Sequence, residues 1–139
     1  MNASESRRRF AEARVARLAT RGEGTPGLLP IVFAIAGDDI ITAVDHKPKS
    51  TRDLRRLSDI ADDPRVAVLV DHYDDADWSR LWWVRADGIA AVHDGDATAH
   101  RAIDHLVDRY SQYRTRRPAG PVIVVSVSRW SGWAADPGR

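Results

Sequence analysis

Residues 28–44, LLPIVFAIAGDDIITAV, decide the fold class. The run LLPIVFAIA (28–36) is apolar and rich in β-branched residues, which predicts a buried strand. GDD (37–39) predicts a tight turn, and IITAV (40–44) a returning strand. Two strands joined by so short a turn must run antiparallel.

Reading outward from this hairpin extends the pattern. Upstream, Ser4 is expected to cap a helix to about Arg17, with Glu5 in its first turn and Phe10, Ala13 and Ala16 as a weak apolar stripe. ARLAT (16–20) then starts a strand, and RGEGTPG (21–27) forms a turn. Downstream, DHKPKST (45–51) is a polar connection. RDLRRLSDIA (52–61) predicts a helix with Leu54, Leu57 and Ala61 on one face, stopped by DDP (62–64). RVAVLVDHY (65–73) is a strand and DDADWS (74–79) an acidic loop. RLWWVRADGIAAVHD (80–94) is a long strand, bent near Gly88. Residues 97–110 carry a helical stripe of Ile103, Leu106, Val107 and Tyr110. Residues 111–120 read as a loop, and PVIVVSVSRWSGW (121–133) as the last strand.

Six strands and three helices result, without regular βαβ alternation. The expected architecture is mainly β with α, an antiparallel barrel decorated by helices. The 139 residues suit one domain, with residues 1–6 and 135–139 expected to fray.

Composition excludes several functions. Without cysteine there is no disulfide, thiolate nucleophile or cysteine-held metal. A formal charge of +1 argues against a nucleic-acid binder. The sequence carries neither an apolar run of bilayer length nor a signal-peptide core, so a cytoplasmic protein without membrane association is expected.

Among local motifs, GEGTPG (22–27) matches G-x-G-x-x-G only literally. A strand follows it and Pro26 interrupts it, so it reads as a hairpin turn. The carboxylates of DHYDDADW (71–78) read as a solvated loop, and no metal site is expected. The segment DHKPKSTRDLRR (45–56) is more informative. Lys47, Lys49, Arg52, Arg55 and Arg56 accompany the hydroxyls of Ser50 and Thr51 at a helix start. That combination suits a phosphate; a solvated basic helix face is the alternative. Both lysines of the chain, against 19 arginines, fall in this segment. The five tryptophans form two clusters, Trp78, Trp82 and Trp83, and Trp130 and Trp133. Each cluster suits either core packing or the wall of a planar-ligand site.

Taken together, ARLAT, LPIVFAI, AVDHKPKSTRDLRRL, DDPRVAVLVDHYDDADWSRLWWVRADG and GPVIVVSVSRWSGWA resemble the split β-barrel flavin and deazaflavin oxidoreductases. This superfamily includes the pyridoxamine-phosphate-oxidase-like proteins. Within it, the chain is similar to an actinobacterial group of coenzyme F420-dependent enzymes. The resemblance spans about residues 7–135. It implies a six-stranded split barrel, a homodimer and two cofactor sites at the dimer interface. Carried over by position, Lys47, Lys49, Ser50, Thr51 and Arg55 would hold the cofactor phosphate. Backbone at Pro30, Ile31 and Val32 would meet the ring edge. Trp78, Trp82, Arg85, Trp130 and Trp133 would form its walls, and Arg52 and Arg56 would line the path of an anionic tail.

The resemblance names no catalytic side chain. Many flavin-binding members carry R-K-x-x-x-[IL] where this chain has K-x-K-S-T, which favours F420 over flavin mononucleotide (FMN). The expected activity is F420-dependent hydride transfer to a small electron-poor organic acceptor. The alternatives are an FMN-dependent oxidase or reductase and a non-enzymatic carrier of a cofactor or tetrapyrrole.

Overall fold

The computed structural model describes residues 1–44 and 51–136, with residues 51–54 in backbone only. Helix α1 (Ala3–Glu12) leads into β1 (Ala16–Thr20), β2 (Gly27–Ile31), β3 (Ala34–Ala36) and β4 (Asp39–Ala43). Helix α2 (Thr51–Asp62) precedes β5 (Arg65–His72). A 3₁₀ turn (Trp78–Arg80), β6 (Trp82–His93), α3 (Ala97–Arg109), α4 (Ser111–Thr115) and β7 (Val122–Ala134) complete the order. Every strand pair described is antiparallel, in one curled sheet of order β2-β1-β5-β6-β7-β4-β3.

The architecture is the expected mainly-β split barrel, with seven strands in place of six. The added strand comes from the 28–36 run, which breaks at Val32 and Phe33 into β2 and β3. These two pieces are consecutive in the chain yet form opposite edges of the sheet. The break is therefore the seam of the barrel. Only part of the run is buried: Leu28 is 72% exposed, whereas Phe33 is fully buried.

At the seam, side chains replace the missing ladder bonds. The Tyr110 hydroxyl accepts from Phe33 N–H at 3.1 Å. It lies 2.8 Å from the Phe33 carbonyl and 3.0 Å from the Arg14 carbonyl, so its one proton serves one of these two acceptors at a time. Thr42 Oγ1 donates to the Val32 carbonyl at 2.8 Å. Backbone polar groups left without a ladder need such partners.

Further differences from expectation have local causes. Asn2, not Ser4, caps α1, its side chain accepting from Glu5 N–H at 2.8 Å. The helix ends at Glu12, short of Arg17, because Ala16 must be extended to pair with Ile31. The segment 1–6 does not fray as a whole: Ser6 is fully buried and Met1 packs on the core. Four α-helices stand where three were expected, since residues 111–115 form a turn of helix within the presumed loop. At the other end, residues 137–139 lie outside the described residues.

The main core contains Phe10, Leu18, Phe33, Ile40, Val68, Val70, Val84 and Ile123 inside the barrel. A second cluster seats the predicted stripe of α3, including Ile103 and Leu106, on Ala34, Ile41 and Val122. The bend expected near Gly88 is a register shift between Asp87 and Gly88. A Cβ at Gly88 would lie 2.4 Å from the Ser126 carbonyl oxygen, so β6 approaches β7 there as only glycine permits.

Candidate functional site

Strand alternation places every second residue on the outside of the barrel. Register then assembles an outer row: Pro30 opposite Arg17, Arg17 opposite Leu69, Leu69 opposite Arg85, and Arg85 opposite Ser131. A neighbouring row joins Asp71, Trp83 and Trp133. Leu69, Trp83, Ile89 and Trp133 are 39%, 40%, 50% and 47% exposed. So much aromatic and aliphatic surface on one face marks an interaction site.

Two hollows share Arg85 on this face. One, of about 710 Å³, runs from the β1–β2 turn past Arg65 and Ala67 to Asp87 and Ser128. The other, of about 500 Å³, lies among Leu69, Tyr73, Trp82, Trp83 and Trp133. Both fall in the size range of small-molecule sites. Their cations are paired: Arg85 reaches Asp87 at 2.7 Å, Arg65 reaches Asp63 at 2.8 Å and Arg21 reaches Asp63 at 3.4 Å. Beside them on the same face, Arg17 reaches Asp71 at 3.6 Å. Hydrogen bonding to Asp87 raises the Arg85 pKa. Hydrogen bonds from Arg65 hold the Asp63 carboxyl at about 2.

The structure brings together some of the residues expected at the site. Pro30, Arg85 and Trp133 share the outer face, and Trp82 borders the second hollow from the edge. The Trp82 ring stacks on His72 at 6.1 Å, with the Arg9 guanidinium 5.5 Å from its centre. Ile31 is buried, and Val32 sits at the seam, 36% exposed. Trp130 packs edge-on against Phe10 at 5.2 Å, as part of the interior. Trp78 is 66% exposed on the 3₁₀ turn and lines neither hollow.

Around the basic segment, Lys47, Lys49 and Ser50 lie outside the described residues, and Thr51 opens α2. Arg55 donates to the Thr25 carbonyl and lies 3.8 Å from Asp59. Arg56 is only 7% exposed, which removes it from an open tail path. The GEGTPG turn is structural, as expected. Gly22 has φ +57°, and a Cβ at Gly27 would lie 2.2 Å from Thr20 Oγ1. That hydroxyl donates to Asp59 at 2.8 Å.

The acidic loop spends its carboxylates on itself. Asp74 accepts from Ala76 and Asp77 N–H and pairs with Arg80, while Asp77 accepts from Ser79. Among the described residues no three His, Asp or Glu side chains cluster as a metal site. No described helix is long and apolar enough to cross a membrane.

Sequence reasoning passed over Trp83, Leu69 and Tyr110 as site residues. In a strand Trp82 and Trp83 face opposite sides, but spacing alone does not choose which of them is outside. Tyr110 was hidden inside a helical stripe that reads as core.

Comparison with known proteins agrees with this topology. Solved structures share the fold. A conserved hypothetical protein of Mycobacterium tuberculosis aligns at TM-score 0.76 with 21% identity, over 97% of this chain and 86% of its own. A FAD-binding protein from Mesorhizobium loti gives 0.73 and 19%, over 95% and 92%. A FAD binding protein from Mycobacterium smegmatis gives 0.64 and 15%, over 96% of both chains. No curated protein sequence matches significantly. Residues 3–134, nearly the whole described chain, match the pyridoxamine 5'-phosphate oxidase family, and the protein belongs to that family of split barrels.

Proposed function

We propose that the protein is an oxidoreductase that uses a tricyclic redox cofactor, F420 in the first place, on the outer face of β1, β5, β6 and β7. The observation carrying this reading is the register that aligns Pro30, Arg17, Leu69 and Arg85 beside Trp83 and Trp133 on one open face. Planar ring systems pack well on such apolar and aromatic surface. When bound, the ring supplies hydride exchange with an organic acceptor.

The chain's own groups do the rest. The segment Pro30 to Val32, exposed at Pro30 and Val32, meets the polar edge of the ring. Lys47, Lys49, Ser50 and Thr51 hold the phosphate at the start of α2, with Arg55 close behind. Arg85, fixed by Asp87, offers a preset cation to the ring or to a developing negative charge. A second copy of the chain covers Leu69, Trp83 and Trp133, completes the site and excludes water. The acceptor is a small electron-poor molecule, reduced by one hydride and one solvent proton.

The FAD-binding names of two structural neighbours favour a second reading, in which a flavin takes the same place. Anaerobic mixing with reduced F420 and a quinone separates the two. Protein-dependent oxidation of reduced F420, with none of reduced FMN or FAD, supports the first. The reverse pattern supports the second. For the assembly, light scattering is expected to give a dimer that Leu69→Glu converts to a monomer; a monomeric parent chain overturns that part.

A further inference from the structure

A third hollow, of about 430 Å³, opens at the barrel seam, away from the paired cations of the outer face. Arg14, Val32, Tyr110, Ser111, Gln112 and Tyr113 line it. No carboxylate is among them. The Tyr110 and Tyr113 rings stand 6.0 Å apart at 81°, forming an aromatic corner. The Arg14 guanidinium lies 4.7 Å from the centre of the Tyr110 ring, and that of Arg109 lies 5.5 Å from it.

Arg14 and Arg109 differ from most arginines of the protein. Arg14 donates to the Arg109 carbonyl at 3.1 Å, and Arg109 donates to the Ala13 carbonyl. Among the described residues neither has a carboxylate within 4.0 Å, whereas ten other arginines do. Arg109 also keeps a buried Nε without a hydrogen-bond partner. Burial, with the like charge of Arg14 added, pushes the Arg109 pKa down. Arg14 lines the hollow and is exposed, while Arg109 sits behind the Tyr110 ring. An exposed guanidinium on an aromatic face, with no carboxylate within 4.0 Å among the described residues, suits an anion that carries a planar ring.

We propose that this hollow binds a planar aromatic acid, its carboxylate at Arg14 and its ring in the Tyr110–Tyr113 corner. Resting on the oxidoreductase reading, the inference makes this acid the acceptor, because Val32 belongs both to the hollow and to the backbone assigned to the ring edge. The substrate class is thereby an electron-poor aromatic carboxylate.

Calorimetric titration of the full chain with para-nitrobenzoate, against uncharged nitrobenzene, tests it. A charge-assisted contact predicts that the acid binds about tenfold tighter. Arg14→Gln is expected to erase that preference, and Tyr113→Ala to weaken both probes. A circular dichroism spectrum matching the parent keeps each variant interpretable. No binding of the acid, or an undiminished preference in Arg14→Gln, overturns the proposal. Separate F420 and flavin titrations of the parent chain distinguish the two readings. Acid binding without cofactor binding leaves the hollow standing and removes its role as acceptor site. Cofactor binding without acid binding overturns the hollow and leaves the oxidoreductase reading standing.

Discussion

The outer sheet face and the barrel seam both carry arginine beside aromatic rings, yet they differ in how the charge is answered. On the outer face Arg17, Arg65 and Arg85 each meet an aspartate of the same or a neighbouring segment. At the seam Arg14 and Arg109 meet carbonyls and ring faces, with no carboxylate within 4.0 Å among the described residues. The number of arginines therefore says little about where an anion would bind. What decides it is whether a carboxylate sits opposite, and a strand delivers one easily because residues two apart share a face.

The contrast is sharpest when the seam itself is broken. Phe33 is fully buried, 5.0 Å from Phe10, with the Arg109 guanidinium 4.8 Å from its ring centre. Phe33→Ala should cost about 3–5 kcal/mol in urea denaturation. A loss comparable to that of half-exposed Ile89→Ala would show that the seam is not part of the core. Tyr110→Phe keeps the ring but removes the hydroxyl that serves Phe33. A loss of about 1–3 kcal/mol in urea denaturation is expected, and an unchanged midpoint would show that the hydroxyl does not hold the seam.

Smaller effects belong to the outer face. Arg85 is half-exposed, so screening by solvent limits its pair with Asp87. Arg85→Ala should change stability by less than about 1 kcal/mol, while weakening cofactor binding far more than stability. Equal effects on both would make the pair structural only. Smallest of all is Asp63. Its folded pKa is depressed, so its contribution is present above the ordinary carboxylate value and disappears as the pH falls through about 2. Carboxyl NMR should show a midpoint near 2, moving up toward 3.8 in Arg65→Gln.

Much of the fold was legible in the sequence. Alternation located β5, β6 and β7, and the Gly88 irregularity fell where a glycine interrupts a long strand. The 28–36 run misled because its hydrophobicity is continuous. Nothing in LLPIVFAIA shows that Val32 and Phe33 cross from one sheet edge to the other, since that follows from closure of the barrel. The cap expected at Ser4 falls two residues earlier, at Asn2, whose side chain accepts from Glu5 N–H.

The site was legible only in part. Pro30 and Arg85 came from the family resemblance, and alternation set Trp82 and Trp83 on opposite faces without showing which one is outside. Trp130 looked like a wall and packs inside, because its register partner is the buried Ala86. The charge contrast between the two arginine groups depends on pairs across strands and between a helix end and a turn. Spacing along the chain does not encode those pairs.

On the proposed function, a cofactor with a tricyclic ring and a phosphate binds this chain through the K-x-K-S-T segment. The direct measurement is an equilibrium fluorescence titration with F420, FMN and FAD, on the parent chain and on Lys47→Ala/Lys49→Ala. Saturable binding is predicted, tightest for F420, and weakened about tenfold or more by the double substitution. No binding of any of the three, or equal affinity in the double variant, would contradict it.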